Sequence, residues 1–226
     1  MAFATLTALE LVLGIDNVIF ISILVDKLPP ETRERARQLG LFMAMFMRIG
    51  LLLALAWIVG LVTPIFSWGA NEFSGRDLIL MAGGLFLLWK STTEIHQTLE
   101  GASHENPVSG RATFGSIILQ IMVIDLVFSL DSIITAVGMV DQVEVMIAAV
   151  VASVALMMVF ARTISEFVSA HPSIKMLALA FLVVVGVVLV AEGFEHHIPK
   201  GYVYFAMAFS VAVEMLNIRY RKKSKR

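Results

Sequence analysis

Two stretches of this chain set acids among apolar neighbours. LELVLGIDNVIF, residues 9–20, carries Glu10, Asp16 and Asn17, and DLVFSLDSIITA, residues 125–136, carries Asp125, Ser129, Asp131 and Ser132. Carboxylates, an amide and hydroxyls make an all-oxygen donor set, which suits hard cations such as Mg²⁺, Ca²⁺ or Mn²⁺. Zinc and copper normally bring His or Cys, and the chain has no Cys and only five His, all in polar connections or at segment ends. A charged carboxylate at the centre of a membrane helix costs about 2.5–3.5 kcal/mol on the insertion scale. Four of them need compensating positive charge. Arg48 and Arg162 supply two such charges, as an internal network; a bound divalent cation supplies what they lack.

On a helix each residue advances about 100°. Glu10 and Asn17 therefore share a face, as do Asp125, Ser129 and Ser132, with Asp16 and Asp131 to the side. A loosened helix at Gly14, and at Ser129–Leu130, is expected to let all the oxygen ligands converge. Irregular backbone at membrane depth is tolerated where it lines a cavity or is buried in protein.

The elements that must position these groups are membrane helices. Of the 226 residues, 58% are hydrophobic and 15% charged, with mean hydropathy +0.86. Soluble domains average about 45–50% apolar and about 25% charged. Runs of roughly 20 apolar residues span a bilayer, and seven are expected: about 3–25, 39–63, 77–98, 113–138, 143–164, 174–193 and 201–219. The connections between them, such as DKLPPETRERARQ and SWGANEFSGRD, read as polar loops. The sequence predicts an all-α membrane protein of one domain, residues 1–226. The first span lacks the basic start and small-residue end of a cleaved signal peptide.

The acids recur at a fixed offset. Glu10 aligns with Asp125, Gly14 with Ser129, Asp16 with Asp131 and Asn17 with Ser132, each 115 residues apart; Phe46-Met47-Arg48 aligns with Phe160-Ala161-Arg162 at 114. A weaker match joins Glu94-Ile95-His96 to Glu195-His196-His197. The reading is two three-helix repeats, about 3–98 and 113–193, plus a seventh helix at about 201–219 and a basic tail, 220–226. An odd number of spans per repeat inserts the two copies in opposite senses, an architecture that puts the substrate site at the repeat interface. Lys27, Arg33, Arg35, Arg37, Arg111, Lys175 and the RYRKKSKR tail fall on one side, with Arg76 and Lys200 on the other. The positive-inside rule then predicts an outside N-terminus and a cytoplasmic C-terminus, in a bacterial inner membrane. The basic tail is read as a topology signal, with no nucleic-acid partner.

Other polar groups are candidates for gates or secondary sites. His196–His197 beside Glu192 and Glu195 form either an exposed turn or a metal-recruiting mouth. Glu214 and Asn217, three apart, share a face of the last helix. Lys90 and Glu94, four apart, read as an interfacial pair.

These motifs, with EGFEHHIPKGYVYFAMAFSVAVEMLN, RARQLGL and EIHQTLEG, resemble the TerC family of bacterial integral membrane proteins. The likeness runs over nearly the whole chain. It implies manganese export, a link to tellurite resistance, and a place in a wider exporter superfamily that includes the lysine exporter LysE. It also implies that Glu10, Asp16, Asn17, Asp125, Ser129, Asp131 and Ser132 hold the transported ion. Spacing leaves Ca²⁺, Mg²⁺ and Mn²⁺ open, and a tellurite oxyanion would be repelled by four acids. The expected function is a divalent-ion transporter working by alternating access, with metal/proton exchange as a natural energy source. No Walker motif is present to use ATP, and no organic cofactor is expected. A metal-handling or assembly subunit that does not transport is the alternative. An intramembrane aspartyl hydrolase built on Asp16 and Asp131 fits poorly, because a shared-proton dyad explains neither Glu10 nor Asp125; the chain is read as not an enzyme.

Overall fold

A computed structural model describes residues 2–54, 63–68, 71–100, 113–137, 142–196 and 198–224. Seven α-helices are seen among them: α1 (Ala2–Val25), α2 (Pro30–Leu53), α3 (Gly75–Leu99), α4 (Phe114–Val137), α5 (Val143–Ala170), α6 (Pro172–Gly193) and α7 (Lys200–Ser224). Five of these, α2, α3, α5, α6 and α7, are long and apolar enough to cross a membrane, and α1 and α4 contain the apolar stretches Ala2–Leu11 and Phe114–Leu130. The chain is a predominantly α-helical membrane protein.

Two expectations are corrected. The polar run PETRERARQ, residues 30–38, is helix rather than loop, because Pro30 sits at the first helical position with Glu31 in the first turn, where proline's missing N–H costs nothing and an acid meets the helix dipole. Its buried face carries Ala36, Arg37, Gly40 and Leu41. The connection before α3 contains a short antiparallel hairpin, β1 (Pro64–Trp68) with β2 (Asn71–Ser74). Phe66 stacks on Phe73 at 5.2 Å between centroids, and Phe73 meets Phe194 edge-on at 5.9 Å, which docks the hairpin on the end of α6. Ser74 then caps α3: its hydroxyl accepts from the Asp77 N–H while the Asp77 carboxylate accepts from the Ser74 N–H at 2.9 Å, a reciprocal cap.

The most extensive helix contacts are α3 with α6 and α1 with α5, followed by α2 with α4. Helices α3 and α6 run antiparallel and touch through glycine. A Cβ on Gly84 would stand 2.7 Å from the Gly186 carbonyl oxygen, and one on Gly186 would stand 3.0 Å from that of Gly84. Small residues allow this close backbone approach where lipid offers no hydrophobic drive. Gly84→Val is therefore expected to destabilise the bundle by about 2 kcal/mol, read as a lower melting temperature in detergent. Gly50→Ala is the control, because nothing lies within 4 Å of its Cβ position. Equal melting of the two variants would remove the glycine contact as the reason for this packing.

Candidate functional site

The acids of α1 and α4 reach one another because these two helices touch, while α2 lies against both. Asp125 is 4% exposed and Glu10 9%. Between them lies Arg48 of α2, itself 4% exposed. Arg48 Nη1 donates to Glu10 Oε2 at 2.5 Å; Nη2 donates to Asp125 Oδ1 at 2.6 Å, and Nε lies 3.1 and 3.2 Å from the two Asp125 oxygens. The planar fork of arginine suits this two-sided bridge, which a lysine point charge does not reproduce.

Neutral groups complete the shell of Asp125. Asn17 Nδ2 donates to Oδ1 at 3.0 Å, and the Ser129 hydroxyl donates to Oδ2 at 3.2 Å. An ionised carboxylate only accepts, so Asn17 must turn its NH₂ toward Asp125 and its Oδ1 away. That Oδ1 is buried and meets no hydrogen-bond donor among the described residues. Ser132 donates to the Ser129 carbonyl at 3.1 Å. A cavity of about 10 Å³, the room of one water, opens beside these groups and is walled by Glu10, Arg48, Ser132 and apolar side chains including Leu52 and Met146.

Of the residues singled out in the sequence, Glu10, Asn17, Arg48, Asp125, Ser129 and Ser132 thus gather at one centre. The side chains of Asp16 and Asp131 lie outside the described residues, as does His197. The expected loosening at Gly14 and at Ser129–Leu130 is not seen: α1 and α4 are continuous helices. Gly14 instead faces Met157 of α5 at a distance that leaves no space for a Cβ, and the serine hydroxyls bond within their own helix. Among the described residues, no three His, Asp or Glu side chains are grouped as a metal cage; the space between the two described acids is filled by Arg48.

Arg162 does not share this centre. It is exposed and pairs with Glu166 one turn along α5, Nε to Oε1 at 2.9 Å. Glu192 is buried near Arg76, 3.8 Å from its Nη2, at the hairpin end of the bundle. His196 Nδ1 lies 2.7 Å from the Phe194 carbonyl in an exposed turn. On α7, Asn217 donates to Glu214 at 3.2 Å, away from the centre. Glu94, read from spacing as interfacial, is in fact 2% exposed and serves both Lys27 and Lys90, the latter at 3.0 Å. Lys27 was the missing signal: it follows α1 directly, within reach of the end of α3 only once the bundle has formed.

A helical bundle with a buried ionic centre, two acids around one arginine, in apolar helices defines a polytopic integral membrane protein. The chain matches the model of the "Integral membrane protein TerC family" over residues 1–226 and belongs to that family. It is 53% identical over 224 residues to the UPF0053 inner membrane protein YgdQ of Escherichia coli (strain K12), covering 99% of this chain and 94% of that one. A UPF0053 protein of Haemophilus influenzae is 53% identical over 225 residues, covering 99% and 95%. The UPF0053 inner membrane protein YoaE of Escherichia coli (strain K12) is 51% identical over 214 residues, 94% of this chain but 41% of its own length. No solved structure matches.

Proposed function

We propose that the chain carries divalent cations across a bacterial inner membrane, with manganese export as its activity and no catalytic reaction of its own. The observation that carries this reading is the Glu10–Arg48–Asp125 centre: two buried acids on two helices, bridged by one cation, with two more aspartates on the same helices. Buried charges inside membrane helices mark ion pathways by default, because their cost is kept only for use. The oxygen-only donors favour Mn²⁺, Ca²⁺ or Mg²⁺, and the family likeness favours manganese and export among these.

In this reading α1 and α4 also cross the membrane, giving seven crossings with the N-terminus outside and the tail in the cytoplasm. Two inverted repeats meet at the centre. The contacts there support it: Asn17 touches Asp125, and the positions 115 residues away and 115 residues back, Ser132 and Glu10, wall the same small cavity. The antiparallel Gly84–Gly186 crossing of α3 and α6 fits helices that are repeat mates.

The test is flux in proteoliposomes. Wild type should move Mn²⁺ in preference to Ca²⁺ and Mg²⁺, and Asp16→Asn and Asp131→Asn should each lower the rate by about 100-fold, as loss of a charged ligand from a buried site would. Folded wild type that binds Mn²⁺ without moving it would turn the reading to a metal-handling subunit. Folded protein that neither binds nor moves it would leave the arginine bridge as structural.

A further inference from the structure

From the same centre, and resting on the transport reading, we infer that Arg48 is a tethered counter-ion: its guanidinium holds the cation site in the empty carrier and is displaced when the metal enters. Arg48 already meets both acids that would take the ion, Glu10 and Asp125. A divalent cation bound through these carboxylates stands about 2.0–2.6 Å from each oxygen. No ion reaches both acids at that range while the guanidinium lies between them. Binding is therefore an exchange of one cation for another.

Three observations give the exchange a structural basis. The cavity beside Glu10 and Ser132 offers room for a single water-sized occupant, enough for an ion to touch Glu10 before Arg48 has left Asp125. Asn17 Oδ1 is a buried acceptor with no donor among the described residues, next to the acid that Arg48 would release. Arg48 reaches both acids from α2, a third helix, through a long rotatable side chain, so a change of rotamer withdraws the guanidinium without moving α1 or α4. The aligned arginine of the second repeat, Arg162, is exposed and paired with Glu166, so one tethered cation serves the site.

The consequence separates two kinds of transport. Exchange of metal for metal needs only the loaded carrier to reorient. Net movement requires the empty carrier to return with the charge of its acids lowered, by protons taken up in exchange or by a cation that stays with the protein. Arg48 supplies one such charge against Glu10 and Asp125. It also competes with the metal, so apparent affinity is lowered by the fraction of carriers in which the guanidinium is seated.

The experiment measures Mn²⁺ binding by the purified full chain, and Mn²⁺/Mn²⁺ counterflow and net Mn²⁺ flux in proteoliposomes. Arg48→Gln is expected to bind Mn²⁺ about tenfold tighter, to keep counterflow, and to lose net flux. Arg48→Lys keeps a charge but not the two-sided bridge; it should shift affinity the same way by less and retain part of the net flux. It also answers the question if the glutamine variant does not fold. Unchanged or weaker Mn²⁺ binding in the folded variants, or counterflow and net flux falling together, would overturn the counter-ion role while wild-type counterflow upholds transport. Wild type without binding or counterflow would overturn both.

Discussion

Asp125→Ala is expected to lower the stability of the detergent-solubilised protein by about 3–5 kcal/mol, the range for removing one partner of a buried ion pair. Its carboxylate accepts from Arg48, Asn17 and Ser129 together. Truncation strands a guanidinium that is 4% exposed with Glu10 as its remaining acid, and leaves the Asn17 amide without its acceptor. Asp125→Asn keeps the shape and removes the charge, so it should fall between alanine and wild type. Adding Arg48→Met to Asp125→Ala should recover part of the loss, because the stranded charge goes with it; the double-mutant cycle reads the coupling directly. Arg162→Ala is the matched control. Its exposed pairing with Glu166 should leave the melting temperature at the wild-type value. An Asp125→Ala protein that melts with wild type would mean that the centre is hydrated in solution and that the bridge contributes nothing to the fold.

The two arginines show how far the sequence could be read. Acids inside apolar runs were visible at once, since nothing but function or a buried partner keeps them there, and Glu10, Asn17, Asp125 and Ser129 do converge. Which arginine joins them was not visible. Both stand two residues after a phenylalanine in aligned positions, but the alignment offset slips from 115 at the acids to 114 at the arginines. That slip falls in the connections between helices, so the pattern does not say which arginine faces the acids; α2 packs against both α1 and α4, whereas Arg162 lies on an exposed face of α5. Helix existence followed from hydropathy: the span expected at 113–138 is α4, Phe114–Val137. Helix ends did not follow where polar residues continue a helix past the apolar run, as at Pro30 and at Ala170, the end of α5. The hairpin was missed because strands of five and four residues are too short for alternation to register.

Glu94→Ala should be the other strongly destabilising change, at about 3 kcal/mol, for a reason that lies at the end of the bundle carrying the α1–α2 connection. Glu94 is 2% exposed and lies near the end of α3, yet two lysines converge on it: Lys90 from the turn before, and Lys27 from the connection that follows α1. Lys27 also donates to Gln97 at 3.1 Å. The neighbouring Asp26 takes hydrogen bonds from Arg33 at 3.3 Å and from the Ser169 hydroxyl at 2.7 Å. Two adjacent residues thereby tie the end of α1 to α2, α3 and α5. Removing the acid leaves two half-buried ammonium groups near each other without that counter-charge. Lys27→Ala should cost less, because Lys27 is 28% exposed and Lys90 still satisfies Glu94. The measurement is melting temperature for Glu94→Ala, Lys27→Ala and the pair together. If the ring of contacts acts as one unit, the double variant will be no worse than Glu94→Ala alone. Additive losses would show that Lys27 holds the connection through Gln97 and the backbone instead, and that Glu94 serves α3 by itself.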